Sequence, residues 1–475
     1  MTAYAERERP RDHCGIFAVY NCKGGYTAAE ITYYGLLALQ HRGQESAGMV
    51  LAGPEGLAAY RGMGLVAQVF SPKFLSGLKA HTALGHVRYS TTGESSLANV
   101  QPFLAAPASG DSIAIAHNGN LANASSLRRK LLAEGHIFHA TADTEIMLAY
   151  LFRHRRLGLA EAVKKMMEMV EGAYAAVVMD SRRMVAFRDP FGFRPLCIGR
   201  LGEAWLFASE TCALDAVGAA FVREVLPGEI VTVLDGEISS TSCASPGRSA
   251  LCIFEYIYFS RSDSNWHGRN MHLVRKAVGA QLAKRINTSL DMVVPAPDSG
   301  ISAAMGMAEA AGLPLEWAVH RNPYKGRTFI NPTQESRELG AQLKYGAIAD
   351  LLKGKKVALV DDSLVRGTTA RQLTSLLRKA GAAEVHLFIS APPYLHPCYY
   401  GIDIPVAVEL AAAASAPSQL AAQIGTDSLT FAGLNDLFAA LGGDERDFCC
   451  ACFTGTYPTT CDCQSLSCIP INGDT

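Results

Sequence analysis

The sequence predicts two domains of different class: an α+β domain of stacked layers, then an α/β domain built on a parallel sheet. Three observations predict them. The chain has 475 residues, too many for one ordinary core. Its first half is a succession of short apolar runs closed by glycine turns. Its second half alternates strand and helix at the spacing of right-handed βαβ crossovers.

The elements follow in order. "CGIFAVY", "AGMVLAG", "SIAIAHNGN", "AYAAVVMD", "RMVAFRDP" and "EIVTVLDGEI" each predict strands, because apolar residues run between turn residues. "TAAEITYYGLLALQHRG" and "DTEIMLAYLFRHRR" carry helical patterns among them. Strand runs with helices packed on them make a layered sandwich. "SSTSCASPGRSALC", small and serine-rich, marks a boundary near residue 245. Beyond it, "RNMHLVRKAVGAQLAKRI" predicts a helix, "DMVVPAPDSG" a buried strand with its exit loop, and "SAAMGMAEAAG" a helix. "KKVALVDDSLVRGTTARQLTSLLRKAG" gives strand, loop and helix, and "EVHLFISAPP" another strand.

Bulk properties exclude several classes. The net charge is −1, so no global field draws nucleic acid or an anionic membrane. No stretch approaches the roughly 20 apolar residues of a membrane span. The first residues lack the apolar core of an export signal, so a cytoplasmic protein is expected. Thirteen cysteines are many for that compartment, where disulfides are disfavoured, so a metal or redox role enters. Cys449, Cys450, Cys452, Cys461, Cys463 and Cys468 crowd the end of the chain.

Ligands of a parallel sheet bind at the carboxyl ends of its strands, where "PDSG" and "DDSLVRGTT" fall. Asp361 and Asp362 can hold a divalent cation or sugar hydroxyls. Gly367, Thr368 and Thr369 offer N–H groups and hydroxyls at a helix N-terminus, an anion site. The string describes a ligand with a phosphate at one end and a polyol at the other. A capped helix with solvated acids is the bland alternative.

The first domain opens differently. "MTAYAERERPRDH" is charged, has no apolar period, and ends at Cys14. It is either a frayed terminus or a leader whose removal makes Cys14 an N-terminal nucleophile with its own α-amine as base. Downstream, "GHVRYSTTG", "AHNGN" and "TADTE" place polar groups after apolar segments. Arg88 could fork onto a carboxylate, Asp143 could take an ammonium, and Asn118 and Gly119 could donate N–H groups to an oxyanion. Carboxylate, ammonium and amide together describe glutamine. Taken singly, each has a structural reading: a surface ion pair for Arg88, a helix N-cap for Asp143, a hairpin turn for "NGN".

"VALVDDSLVRGTT" resembles the substrate signature of the phosphoribosyltransferases, and "VPAPDSG" looks like their pyrophosphate-side loop. "RNPYKGRTFINPTQESRELG" resembles their flap, with Arg321 among its cations. The resemblance implies phosphoribosyl pyrophosphate binding by Asp298, Ser299, Gly300, Lys325, Arg327, Lys344, Asp361, Asp362, Ser363, Arg366, Gly367, Thr368 and Thr369. It also implies one Mg²⁺ per subunit at Ser299, Asp361 and Asp362. The Cys14 region, with "ALQHRGQESAG" and the motifs after it, resembles the N-terminal-nucleophile glutamine amidotransferases. That implies Cys14, Asn118 and Gly119 as catalytic residues, and Arg42, Arg88 and Asp143 as glutamine ligands.

The two together, with "FEYIYFSRSDS" at the junction, resemble the phosphoribosyl pyrophosphate amidotransferases of purine synthesis. The implied fold is an N-terminal-nucleophile αββα sandwich followed by a type I phosphoribosyltransferase domain. The organisation expected is a propeptide over 1–13, an amidotransferase domain over 14–245, a phosphoribosyltransferase domain over 246–455, and a disordered tail over 456–475. Also implied are a cytoplasmic homotetramer, purine nucleotide inhibitors, and no nucleic-acid or membrane partner.

The C-x-x-C pair Cys449 and Cys452, with Cys252 and Cys398, resembles the ligand set of the family's iron–sulfur branch, one [4Fe–4S] cluster per subunit. From the ligands alone, zinc competes. Cys22, Cys197, Cys212 and Cys243 read as small core residues, and Cys450 as a bystander. The sequence departs from the family at His13, where glutamate is usual, at Ala18 for glycine, and at Pro323 for arginine. Two rival functions are another amidotransferase of the same nucleophile type and a non-catalytic regulator that senses phosphoribosyl pyrophosphate or purines.

Overall fold

The computed structural model describes residues 14–22, 26–75, 77–89, 95–107, 111–243, 248–322, 344–402 and 410–460. His13 and the other residues before Cys14, together with Pro323, Lys325, Arg327, Cys461, Cys463 and Cys468, lie outside the described residues.

Two antiparallel sheets stack face to face in the first domain. One has seven strands, in the spatial order Ala220–Glu224, Cys197–Leu201, Ala204–Ala208, Gly15–Tyr20, Thr82–Arg88, Ser46–Gly53, Gly56–Met63. The other has six, in the order Glu237–Ser242, Glu229–Leu234, Arg183–Arg188, Gly172–Met179, Ile113–Leu121, Phe103–Ala105. The two-residue period of a strand explains why central strands read as unbroken apolar runs. In Gly15–Tyr20, Ile16 and Ala18 face the layer between the sheets, while Phe17 and Val19 face the outer helix Ala28–Ala38. In Gly172–Met179, Ala175 and Val177 face inward, while Tyr174 and Val178 meet the helices Thr144–His154 and Leu159–Met167. Both faces are covered, which gives the αββα order. Thr27 and Glu30 start the first helix with a reciprocal capping box, Glu30 N to Thr27 Oγ1 at 3.2 Å and Thr27 N to Glu30 Oε2 at 2.8 Å.

The expected boundary at 245 falls between the strands Glu237–Ser242 and Leu251–Cys252. The second domain holds a parallel sheet in the order Met292–Pro295, Lys356–Asp361, Glu384–Ile389, Ser428–Phe431. Helices Met271–Ala283, Ile301–Ala311 and Thr368–Lys379 cover it. The fourth strand was not among the sequence expectations. "SLTF" mixes polar and apolar residues and is only half-buried, as suits a sheet edge. Of the expected tail, residues 456–460 are described. Tyr457 Oη donates to Pro397 O at 2.7 Å, and Thr459 N donates to Tyr400 Oη at 3.0 Å. Residues 456–460 are therefore packed rather than loose. Among the described residues, no helix is long and apolar enough to cross a membrane.

Candidate active sites

Cys14 stands at the mouth of the strand Gly15–Tyr20, buried, with its Sγ 3.8 Å from the Tyr89 carbonyl oxygen. Burial pushes its thiol pKa up, the Arg88 charge pulls it down, and the Asp143 charge adds to the rise. Arg88 and Asp143 thus both lie close enough to act on the Cys14 thiol. Arg88 ends the strand Thr82–Arg88 and is buried, so its surface ion-pair reading fails. Asp143 does occupy the N-cap position of the helix Thr144–His154, but its side chain does not cap it. Instead Asp143 Oδ2 accepts from Leu121 N at 2.9 Å, at the end of the strand Ile113–Leu121 against which its own helix packs.

Asn118 and Gly119 lie inside the strand Ile113–Leu121, not at a hairpin turn. Asn118 is fully buried, and its amide nitrogen and oxygen have no hydrogen-bond partner in the fold. An orphaned buried amide costs about 1–3 kcal/mol, so a ligand that pairs it is favoured. Gly119 has φ +139°, and a Cβ there would lie 2.0 Å from Ala173 O, so the position admits only glycine.

Arg42 requires a correction. It was expected to hold glutamine, but its guanidinium is buried and occupied within the protein. Nη1 donates to Glu210 at 2.6 Å and to Glu255 at 3.0 Å, and Nη2 to Glu255 at 2.7 Å. Its Nε donates to the Cys14 carbonyl at 3.2 Å. Arg42 therefore fixes the main chain of Cys14 and ties it to the second domain, which supplies Glu255. Arg194 also reaches Glu255, at 3.4 Å. Burial alone would raise the pKa of both acids. His41 and Arg42 reverse this for Glu210, and chiefly Arg42 for Glu255, so both end below the ordinary carboxylate range. Their contribution to stability is full above about pH 4.3, the unfolded value. It is lost as pH falls through the depressed folded values. Glu255→Gln leaves two buried guanidinium groups short of charge. It should cost about 3–5 kcal/mol in a denaturant melt at neutral pH, and a change within ±0.5 kcal/mol would show that the network is not holding the fold.

In the second domain the strand Lys356–Asp361 delivers Asp361 and Asp362 side by side, both buried. Ser299 Oγ donates to Asp361 Oδ1 at 3.1 Å, joining the two loops that the sequence singled out. Ser363 Oγ donates to Asp362 Oδ2 at 2.7 Å. Gly367, at φ +76°, is the N-cap of the helix Thr368–Lys379 and turns the loop carrying Arg366 into it. Thr368 and Thr369 form its first turn. Gly300 backs against Val360 O, where a Cβ would be 2.2 Å away. Asp298 is exposed and paired with Arg321 at 2.7 Å. Lys344 lies at the far edge, over the Tyr345 ring. Two hard carboxylates and a hydroxyl suit Mg²⁺, which takes few protein oxygens and completes its shell from phosphates and water.

The local pair Cys449 and Cys452 meets Cys252 and Cys398, both distant in sequence, near the domain junction. The strand Leu251–Cys252 pairs in parallel with Phe448–Cys449, placing Cys252 opposite Cys449. The Cys452 carbonyl accepts from Leu395 N and His396 N, both at 3.1 Å, which draws in the loop to Cys398. Burial raises the Cys452 thiol, and Cys398, Cys449 and Cys252 raise it further. Burial, then Cys252, pushes Cys450 up to about 12, so Cys450 shares this neighbourhood. Among the described residues, no three His, Cys, Asp or Glu side chains gather around a point that would hold a single metal ion. Cys197 and Cys212 are buried in the core, while Cys22 and Cys243 are half-buried.

A glutamine amidotransferase domain profile matches residues 86–216, and a phosphoribosyl transferase domain profile matches 269–400. The chain is 44% identical over 459 residues to the amidophosphoribosyltransferase of Bacillus subtilis, covering 96% of each. The chain belongs to the amidophosphoribosyltransferase family. The chloroplastic amidophosphoribosyltransferase 1 of Arabidopsis thaliana is 44% identical over 95% of this chain and 79% of its own length. A solved B. subtilis glutamine phosphoribosylpyrophosphate amidotransferase, complexed with ADP and GMP, superposes with a TM-score of 0.88. It covers 94% of this chain and 98% of its own, at 44% identity. Membership of the amidophosphoribosyltransferase family, over nearly the whole chain, disfavours both rival functions. The sequence missed Glu210, Glu255 and Arg194. A glutamate inside the aromatic run "FEYIYF" was the only signal, since an unpaired acid there would be costly.

Proposed function

We infer that the chain catalyses the first committed step of purine synthesis at two sites. Glutamine is hydrolysed in the first domain. The ammonia displaces pyrophosphate from C1 of 5-phosphoribosyl 1-pyrophosphate in the second, leaving 5-phosphoribosylamine, glutamate and pyrophosphate. The observation that carries this reading is the grouping of Cys14, Arg88 and Asp143 about a strand with an orphaned Asn118 amide.

Arg88 takes the glutamine carboxylate and Asp143 its ammonium, which sets the amide carbon against Cys14. The Cys14 α-amine, freed by loss of the leader, takes the thiol proton. The sulfur attacks the amide carbon, and Asn118 and the Gly119 N–H hold the oxyanion. Ammonia leaves with a proton, and water resolves the thioester to glutamate. In the second domain, the Gly367–Thr369 turn holds the 5′-phosphate, and Asp361 and Asp362 hold the ribose hydroxyls. Asp298, Ser299 and Gly300 face the pyrophosphate, with Lys344 and the flap residues Lys325 and Arg327 supplying positive charge. Mg²⁺ at Ser299, Asp361 and Asp362 would neutralise the pyrophosphate as it leaves.

Cys252, Cys398, Cys449 and Cys452 would hold a [4Fe–4S] cluster that ties strand to strand at the junction. Purine nucleotides, whose phosphates resemble the substrate's, are proposed inhibitors. ADP and GMP in the solved relative support this. A cytoplasmic homotetramer is the proposed assembly.

Intact mass of protein purified without oxygen tests the maturation step. A mass starting at Cys14 is expected, together with iron rather than zinc in metal analysis. A chain retaining the leader, with zinc bound, would contradict both assignments.

A further inference from the structure

One loop of the second domain lies against the strand of the oxyanion donors. The Tyr399 carbonyl accepts from Asn120 Nδ2 at 2.9 Å. Tyr400 stacks on Phe193 with ring centroids 4.3 Å apart, and its carbonyl accepts from Arg194 Nη2 at 2.7 Å. Its hydroxyl is held in turn by Thr459 at 3.0 Å. Gly401 follows at φ +98°, and a Cβ there would lie 3.1 Å from both the Gly119 carbonyl carbon and Asn120 Cβ. The backbone of 399–401 therefore lies directly on the Gly119–Asn120 peptide. Gly119 also packs closely on Ala173 O, from which a Cβ would lie at 2.0 Å. Gly119 is held twice, once by its own domain and once by the other.

Gly119 needs such support. Glycine is the residue freest to rotate, yet an oxyanion donor must be aimed before the reaction begins. We propose that the Tyr399–Gly401 segment of the second domain is a positioning element for the oxyanion hole, holding the Gly119 carbonyl side in place and thereby limiting rotation of the Asn118–Gly119 peptide that carries the donor N–H. The inference rests on the reading of Asn118 and Gly119 as oxyanion donors. It makes the glutamine site incomplete without a main-chain segment from the neighbouring domain.

Gly401→Ala crowds the Gly119 peptide, and Asn120→Ala removes the bond to Tyr399 while leaving the loop backbone unchanged. In each variant, kcat for glutamine hydrolysis should fall about 10- to 100-fold. KM for glutamine should stay within about twofold, because ground-state binding belongs to Arg88 and Asp143. Ammonia-dependent phosphoribosylamine synthesis should be unchanged. Glutamate γ-semialdehyde, which adds to a thiol as a tetrahedral adduct, should bind more weakly by the same factor as the loss in kcat.

Unchanged glutamine kcat, or equal loss of the glutamine and ammonia activities, overturns the proposal. If Gly401→Ala does not fold, Asn120→Ala decides alone. Asn118→Ala separates the two layers of the argument. Its full retention of glutaminase activity sinks the oxyanion reading itself. Its loss beside intact Gly401→Ala and Asn120→Ala variants sinks only the positioning role.

Discussion

Cys14→Ala should abolish glutamine-dependent phosphoribosylamine formation, a loss of roughly three orders of magnitude or more, while ammonia-dependent formation continues. The nucleophile has no substitute, since no other cysteine joins Arg88 and Asp143 at this site among the described residues. Its burial makes the expectation sharper. A thiol whose pKa is raised by burial is a poor nucleophile until a base takes its proton. In the proposed mechanism the base is the α-amine of Cys14 itself, which would be free only after loss of residues 1–13. A variant that blocks leader removal should therefore resemble Cys14→Ala in a glutaminase assay. The second domain shares none of these groups, so the ammonia reaction reads its integrity separately. Equal loss of both activities would undermine the two-site scheme.

Asp361→Ala and Asp362→Ala should each lower the ammonia-dependent rate by about 100-fold or more, the scale on which misplaced or uncompensated charge slows a transfer. Both carboxylates are buried at the end of a central parallel strand, with Ser299 donating to Asp361. Burying two adjacent acids is costly unless something positive or hydroxylic comes to meet them. Arg275 already lies in the field of Asp362, and a polyol and a divalent cation are the further occupants proposed for the pair. The rate should be measured with saturating ammonia, so that the glutamine site is not in the path. A circular dichroism spectrum matching the parent would separate lost chemistry from lost folding. Wild-type rates in both variants would overturn the assignment of this loop.

Legibility from sequence followed the distance between partners. The phosphoribosyl loop could be read because its parts are contiguous: strand, two acids, glycine turn and helix run from Lys356 to Lys379. A layered sandwich was also visible, because strands covered on both faces must be apolar throughout, while its αββα order came from the family resemblance. Arg42 could not be read correctly. Its partners Glu210 and Glu255 stand 168 and 213 residues away, so its commitment to them appears only after folding. "NGN" was ambiguous for a related reason. The same tripeptide suits a hairpin turn, and only pairing with Gly172–Met179 shows it to be strand. The cysteines were intermediate. C-x-x-C is local, but Cys252 and Cys398 join it only through strand pairing and a loop that crosses the junction.

The two-site proposal has ammonia made at Cys14 pass to the site of Asp361 and Asp362 in the same chain. Glutamine labelled with ¹⁵N at its amide, given together with excess unlabelled ammonia, tests this directly. Phosphoribosylamine should carry the label well above its share of the total nitrogen pool. Label diluted to the bulk ratio would mean that the two sites work independently, and would contradict the proposal.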